Sequence, residues 1–248
     1  MPRARRVYKV GGPALEDPGL ITPLAREVAA FDGEAALVHG GGRQIESLLK
    51  RLNVESAFVN GRRATSDAAM EVVEMVLSGS MNKALTAGLH RAGLRAVGLS
   101  GRDAGLIRAS LVPELGRVGA PEKIEAGVIE ALWAGSFVPV ISPVSSDAAG
   151  APVNINADEA AQWVARALRA DTLVFLSDVD GVRLDGAAVE HLTEALIEDR
   201  IADGAIHGGM AMKVRMALDA ARSGIPEVGI AGRARLEGGF PGTRVTIH

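Results

Sequence analysis

The sequence predicts an α/β fold: a mostly parallel sheet with helices on both faces. Short apolar runs alternate with amphipathic stretches along the chain, as in strands wound with helices. Glycine, at 30 residues, clusters at the ends of those runs, where backbone can approach a ligand closely. The core must be aliphatic, because 48% of the 248 residues are hydrophobic but only 3% are aromatic. That length suits one large domain or two closely joined lobes.

Val7–Val10 reads as a first strand ending at Gly11-Gly12, followed by a helix over Pro23–Phe31. Ala35–Val38 reads as a strand ending at His39-Gly40-Gly41-Gly42. Ile45, Leu48, Leu49 and Leu52 then recur at helical spacing, so strand, glycine turn and helix open a βαβ unit. Asp67 can cap a helix running to about Leu89. Strands follow at Ala96–Leu99, Phe137–Ile141 and Thr172–Leu176, with helices at Ile124–Trp133 and Asp158–Leu168. Met210, Val214, Leu218 and Ala221 share one helical face. Val228–Ile230 and Arg244–Ile247 close the chain as strands. The Gly/Pro/Ser-rich stretch Pro143–Pro152 suits a soft boundary between lobes. Ligands in such sheets bind beyond the C-terminal strand ends, where the glycine clusters fall.

Several function classes are disfavoured. The net charge is −3, from 27 basic and 30 acidic residues, with no basic stripe beyond Arg3, Arg5 and Arg6, so nucleic acid is not the indicated partner. Cysteine is absent, which removes disulfides and thiolate metal sites. No apolar run approaches the ~20 residues of a membrane span, and no signal core follows the N-terminal basic residues. A cytoplasmic protein is expected.

Six stretches carry candidate chemistry. Lys9 before Gly11-Gly12 puts a cation beside exposed N–H groups, which suits phosphate; a snorkelling lysine and a tight turn explain it as well. Gly40-Gly41-Gly42 opens a helix without matching a dinucleotide or P-loop spacing, and His39 reads as structural. Arg62 and Arg63, after Asn60-Gly61, are able to grip a carboxylate or to stay solvated. Asn154 suits substrate, and Asp158 suits orienting other groups or capping its helix. Ser177, Asp178 and Gly181 follow an apolar strand, as nucleotide and Mg²⁺ contacts do, or form a plain turn. Gly208-Gly209-Met210 opens a helix with Lys213 in its first turn, where the dipole opposes a cation and an anionic ligand would account for it.

Taken together and in order, these stretches resemble the amino acid kinase family over nearly the whole length, from Lys9 to Gly242-Thr243-Arg244. The pairing of Asn60–Thr65 with the long Glu71–Lys83 stretch and Asn154–Ala161 is similar to the branch that phosphorylates the side-chain carboxylate of N-acetyl-L-glutamate, an early step of arginine biosynthesis. The resemblance implies a three-layer αβα sandwich with an open, mainly parallel central sheet. Its N-terminal lobe, about residues 1–150, would bind acetylglutamate, and its C-terminal lobe, about 151–248, would bind ATP with Mg²⁺. Lys9 and Lys213 would stabilise the transferring phosphoryl group, with Asp158 orienting both lysines. Gly41, Gly42, Arg63 and Asn154 would hold the acceptor, Arg63 through its α-carboxylate. Gly11 and Gly12 would give N–H contacts on the nucleotide side, where Ser177, Asp178, Gly181, Gly209 and Met210 would also lie. Ala64, Arg102 and His207 depart from the family's usual residues without removing a matched functional one. Only a few residues precede Val7, where the family's arginine-inhibited hexamers carry an extra helix, so a homodimer without arginine feedback is expected. The rival readings are an N-acetyl-aminoadipate kinase of lysine biosynthesis, one methylene away, and a non-catalytic amino-acid sensor on the same fold.

Overall fold

A computed structural model describes residues 3–12, 15, 19–59, 61–238 and 241–248. Its centre is an eight-stranded sheet in the order β14-β16-β15-β11-β1-β2-β8-β5. These strands are β1 (Ala4–Val10), β2 (Gly33–His39), β5 (Ala96–Ser100), β8 (Val138–Ser142), β11 (Thr172–Leu176), β14 (His191–Thr193), β15 (Glu227–Ala231) and β16 (Thr243–Thr246). The neighbours from β15 across to β5 pair in parallel, and β16 runs antiparallel to β15.

Alternate residues of the central strands serve opposite faces, because side chains in a strand alternate. Val7, Ala36, Val38, Leu173, Phe175, Val228 and Ile230 enter one buried cluster. Tyr8, Val10, Ala35, Leu37, Val174 and Leu176 enter the other. A parallel sheet covered on both faces needs such unbroken apolar strands. On the first face lie α5 (Gly127–Ala134), α6 (Ala157–Ala167), α7 (Glu194–Ala202) and α8 (Gly208–Arg222). On the second lie α1 (Ile21–Ala30) and α4 (Asn82–Arg91). A third cluster joins α2 (Gly42–Arg51) and α3 (Asp67–Glu74) to the stretch that follows. This is the expected three-layer αβα sandwich. Among the described residues no helix is long and apolar enough to cross a membrane.

The differences from expectation are local. Ser66, not Asp67, caps α3: its hydroxyl accepts from Ala69 N at 3.2 Å, and Asp67 is the acidic residue of the first turn. The single helix expected to Leu89 is broken by a π-helix, Met75–Met81, between α3 and α4. Leu52 is exposed rather than part of the buried stripe of α2, because the helix ends at Arg51. Ile124 ends a strand, and α5 starts only at Gly127. The stretch expected as a soft boundary is itself structured. It contributes β9 (Val144–Ser146) and the start of β10 (Pro152–Asn154) to a second, four-stranded sheet with β6 (Ile107–Leu111) and β7 (Gly119–Ile124). Over the C-terminal ends of the main sheet stands a small hairpin of β3 (Phe58–Val59) and β4 (Arg62–Arg63).

Candidate active site

Beyond the ends of β1 and β2 lies a cavity of about 230 Å³. Lys9, Gly12, Gly41, Gly42, Arg63, Asn154 and Asp158 all line it. Residues from Lys9 to Asp158 thus converge, because the ends of β1 and β2, the β3–β4 hairpin, β10 and the start of α6 meet there. Two helices, α2 and α6, start at this cavity. Their free N–H groups and dipoles favour an anion.

Lys9 points from β1 into the cavity, and its Nζ lies 2.8 Å from Asp158 Oδ1. Asp158 does not cap α6. That task falls to Asn156, whose side-chain oxygen accepts from Asp158 N at 2.8 Å and Glu159 N at 3.4 Å. The Asp158 carboxylate is therefore left for Lys9. The two glycine turns meet closely: a Cβ on Gly12 would stand 3.3 Å from Gly42 N, tighter than ordinary contact. Gly11 does not offer its N–H to a ligand. It donates to Leu176 O at 3.0 Å, extending the β1–β11 ladder by one residue.

Arg63 is buried at the cavity wall. Its Nη1 donates to Glu46 Oε2 at 2.6 Å and Ser56 Oγ at 3.1 Å, and its Nη2 to Gly42 O at 3.2 Å. Phe58 stacks on the guanidinium, 4.5 Å from carbon to ring centre. The Nε–H and the second Nη2–H keep no partner among the described residues. That side-on edge takes a carboxylate with two parallel bonds. Arg62 also lines the cavity but is held by Glu159 at 2.8 and 3.0 Å. Asn154 Nδ2 reaches Thr65 Oγ1 at 3.2 Å, and Thr65 in turn donates to Arg63 O. Asn60, first of its matched stretch, lies outside the described residues.

His39 is fully buried. Burial pushes its imidazole down to about 4, so the ring is neutral near pH 7.

A second cavity, of about 390 Å³, opens beside the end of β11 and the start of α8. Asp178, Gly181, His207 and Met210 line it; Gly209 adjoins Met210 in the first turn of α8. Lys213 lies one turn deeper than expected, in the second turn, since α8 begins at Gly208. The dipole objection therefore weakens, because the effect fades within the first turn. Lys213 Nζ donates to Ser177 Oγ and, at 3.2 Å, to Asp178 Oδ1. It makes no bond to Asp158, so each lysine has a carboxylate of its own. The Ser177 hydroxyl, 2.8 Å away, and then Lys213 hold the Asp178 carboxyl below the usual range. Between the cavities, hairpin and α8 touch: a Cβ on Gly61 would stand 3.1 Å from Met212 Sδ.

Sequence reasoning missed Glu46, Thr65 and Asn156. Glu46 acts through Arg63, and Thr65 joins Arg63 O to Asn154, a partner far along the chain. Asn156 was legible as a polar residue two places before Asp158.

The family model described as the amino acid kinase family matches residues 4–231. A protein named acetylglutamate kinase from Rubrobacter xylanophilus is 44% identical over 247 residues, covering 96% of this chain and 94% of its own. Another of that name, from Chloroflexus aurantiacus, is 42% identical over 245 residues, covering 97% and 96%. Among solved structures, smu.665 from Streptococcus mutans UA159 superposes with a TM-score of 0.84 at 28% identity, covering 98% and 99% of the two chains. A Giardia carbamate kinase superposes at 0.69 with 17% identity over 99% of each chain, a likeness of fold alone. With the family model spanning most of the sequence and relatives of matching length at 42% and 44% identity, the chain belongs to the amino acid kinase family.

Proposed function

We propose that this chain transfers the γ-phosphoryl group of ATP, brought in as its Mg²⁺ complex, to the side-chain carboxylate of N-acetyl-L-glutamate. The observation that carries the reading is the Lys9–Asp158 pair, 2.8 Å apart, in one cavity with Arg63, Asn154 and two glycine turns. A carboxylate acceptor is already ionised at pH 7, so the site needs no general base. What it must overcome is repulsion between the acceptor and the phosphates. Phosphoryl transfer is catalysed by positioning and charge stabilisation.

In this reading the free edge of Arg63 takes the α-carboxylate, and Asn154 fixes the acceptor beside it. Gly41 and Gly42 offer N–H groups at the start of α2, with Gly12 packed against them. Lys9, held straight by Asp158, faces the transferring group from the acceptor side, and Lys213 faces it from the nucleotide side. Ser177, Asp178, Gly181, Gly209 and Met210 surround the nucleotide. No cluster of three or more metal-ligating side chains occurs among the described residues. Mg²⁺ keeps several waters and rides mainly on the phosphates, with one or two carboxylates. The acceptor lobe up to about residue 150 and the nucleotide lobe from about 151 both build the first cavity, since Asn154 and Asp158 come from the second. A homodimer without arginine feedback belongs to the same reading, and Met75, exposed between α3 and α4, is a candidate for its interface. A hexamer in light scattering, or inhibition by arginine, would overturn that part.

The deciding experiment is hydroxylamine trapping of the acyl phosphate with MgATP, comparing N-acetyl-L-glutamate, N-acetyl-aminoadipate and no acceptor. Acetylglutamate-dependent trapping is expected. Preference for aminoadipate keeps the mechanism and moves the pathway. No trapping with either acceptor, from folded protein, sinks the reading in favour of a sensor.

A further inference from the structure

The π-helix at Met75–Met81 stands directly behind the glycine turn of the first cavity. A π turn fits an extra residue into a helix and is frequent at functional sites. Its contacts here converge on Gly41. A Cβ on Gly41 would stand 2.9 Å from Leu77 Cδ2 and 3.3 Å from Met81 Cγ. Asn82 follows at once, fully buried. Its Nδ2 lies 2.9 Å from Val140 O, 3.2 Å from Leu99 O and 3.1 Å from His39 Nε2. Its Oδ1 receives Lys83 Nζ at 3.1 Å.

Two carbonyls on one side and an ammonium on the other decide which end of the amide is NH₂. An NH₂ group only donates, so His39 Nε2 faces it without a proton, sharing one of the amide's two hydrogens with a carbonyl, and the ring proton sits on Nδ1. That nitrogen lies 2.9 Å from Gly40 O and donates to it. A planar trans peptide points its C=O and the following N–H to opposite sides. With Gly40 O drawn to the imidazole, the Gly41 N–H is turned the other way, away from the ring. Gly41 N lies 3.6 Å from the Cβ position of Gly12, and no described residue accepts its hydrogen. Neither Asn82 nor His39 lines the cavity.

We propose that Asn82 is a positioning residue for phosphoryl transfer: through His39 it sets the Gly40–Gly41 peptide so that the Gly41 N–H faces the transferring group. The proposal rests on the kinase reading above. The chain of contacts requires a neutral ring, since a doubly protonated one would turn an N–H against the Asn82 amide. Burial supplies that neutrality.

The test has two arms. Nitrogen-15 NMR of the histidine rings, with His39 identified by its loss in His39→Asn, reads the tautomer without any substrate. A ring proton on Nδ1 is expected in the wild type and a loss of that preference in Asn82→Ala; a proton on Nε2 in the wild type overturns the proposal. In steady-state kinetics, Asn82→Ala is expected to lower kcat by about tenfold to a hundredfold, with both KM values within about threefold. That loss is smaller than for deleting a donor, because the N–H remains but is no longer aimed. A folded Asn82→Ala with wild-type kcat overturns the idea. If that variant does not fold, His39→Leu against His39→Asn decides. The asparagine amide restores a donor to Gly40 O and should recover part of the kcat lost in His39→Leu; equal kcat in the two would sink the proposal. Wild-type protein inactive with both acceptors defeats the kinase reading instead, and the tautomer arm still reports whether Asn82 sets the loop.

Discussion

The two lysines of the site sit in unlike surroundings. Lys9 is 15% exposed and its partner Asp158 27%; Lys213 is 38% exposed and Asp178 48%. Lys9 springs from a central strand, and its carboxylate stands on a helix capped by another residue. Lys213 stands on a helix flank, tied to a loop. The surroundings of Lys9 are thus built in advance, with Arg63 and the glycine turns already braced, while those of Lys213 are wetter and more loosely held. A charge fixed in a drier site acts more strongly, because less solvent screens it.

The comparison is broken most directly by removing each lysine. Lys9→Ala and Lys213→Ala should each lower kcat by roughly 10²–10³, the usual loss for one preorganised donor. Lys9→Ala should be the larger of the two, and its KM for ATP the less affected. Near-normal kcat in either variant removes that lysine from the mechanism. A greater loss in Lys213→Ala would reverse the ranking of the two sides.

Arg63→Lys comes next. A lysine cannot keep Glu46, Ser56 and Gly42 O while offering a two-bond edge. Loss of a charge-assisted bond worth about 1.5–3 kcal/mol should raise the KM for acetylglutamate by about tenfold or more. The KM for ATP should barely move. An equal rise in both would show that the hairpin serves the nucleotide side too.

The remaining prediction concerns stability. His39 titrates near 4 in the fold and near ~6.5 when unfolded, so the unfolded chain takes up the proton first. Stability owed to the neutral ring is whole above about pH 6.5 and is lost as pH falls towards 4, by ~1.4 kcal/mol per pH unit in that window. Lys83 is the charged group that adds to the depression. Urea unfolding at neutral and mildly acid pH should show the wild type losing more than His39→Asn. Parallel losses would mean that the ring is solvated.

Much of this could be read along the chain. The central strands were legible because both faces of a parallel sheet are buried, leaving apolar runs bounded by glycine. Lys9, Arg63, Asn154 and Asp158 were legible because their types at strand and helix ends match a family's order, and all four meet in one cavity. The second sheet was not legible: β9 and β10 have three residues each, and β6 and β7 lack the unbroken apolar runs of the central strands. The π-helix was hidden because a helical periodicity absorbs one extra residue without a visible break.

By itself the sequence determined the layers of the fold and the residue types available for chemistry, since periodicity and glycine placement are local properties. Only the tertiary structure decided how those residues are paired: Asp158 with Lys9, Asp178 with Lys213, Gly11 into the sheet, and Asn82 under His39. Such pairings depend on which backbone groups are already satisfied and which remain free. That accounting closes only when distant strands lie side by side.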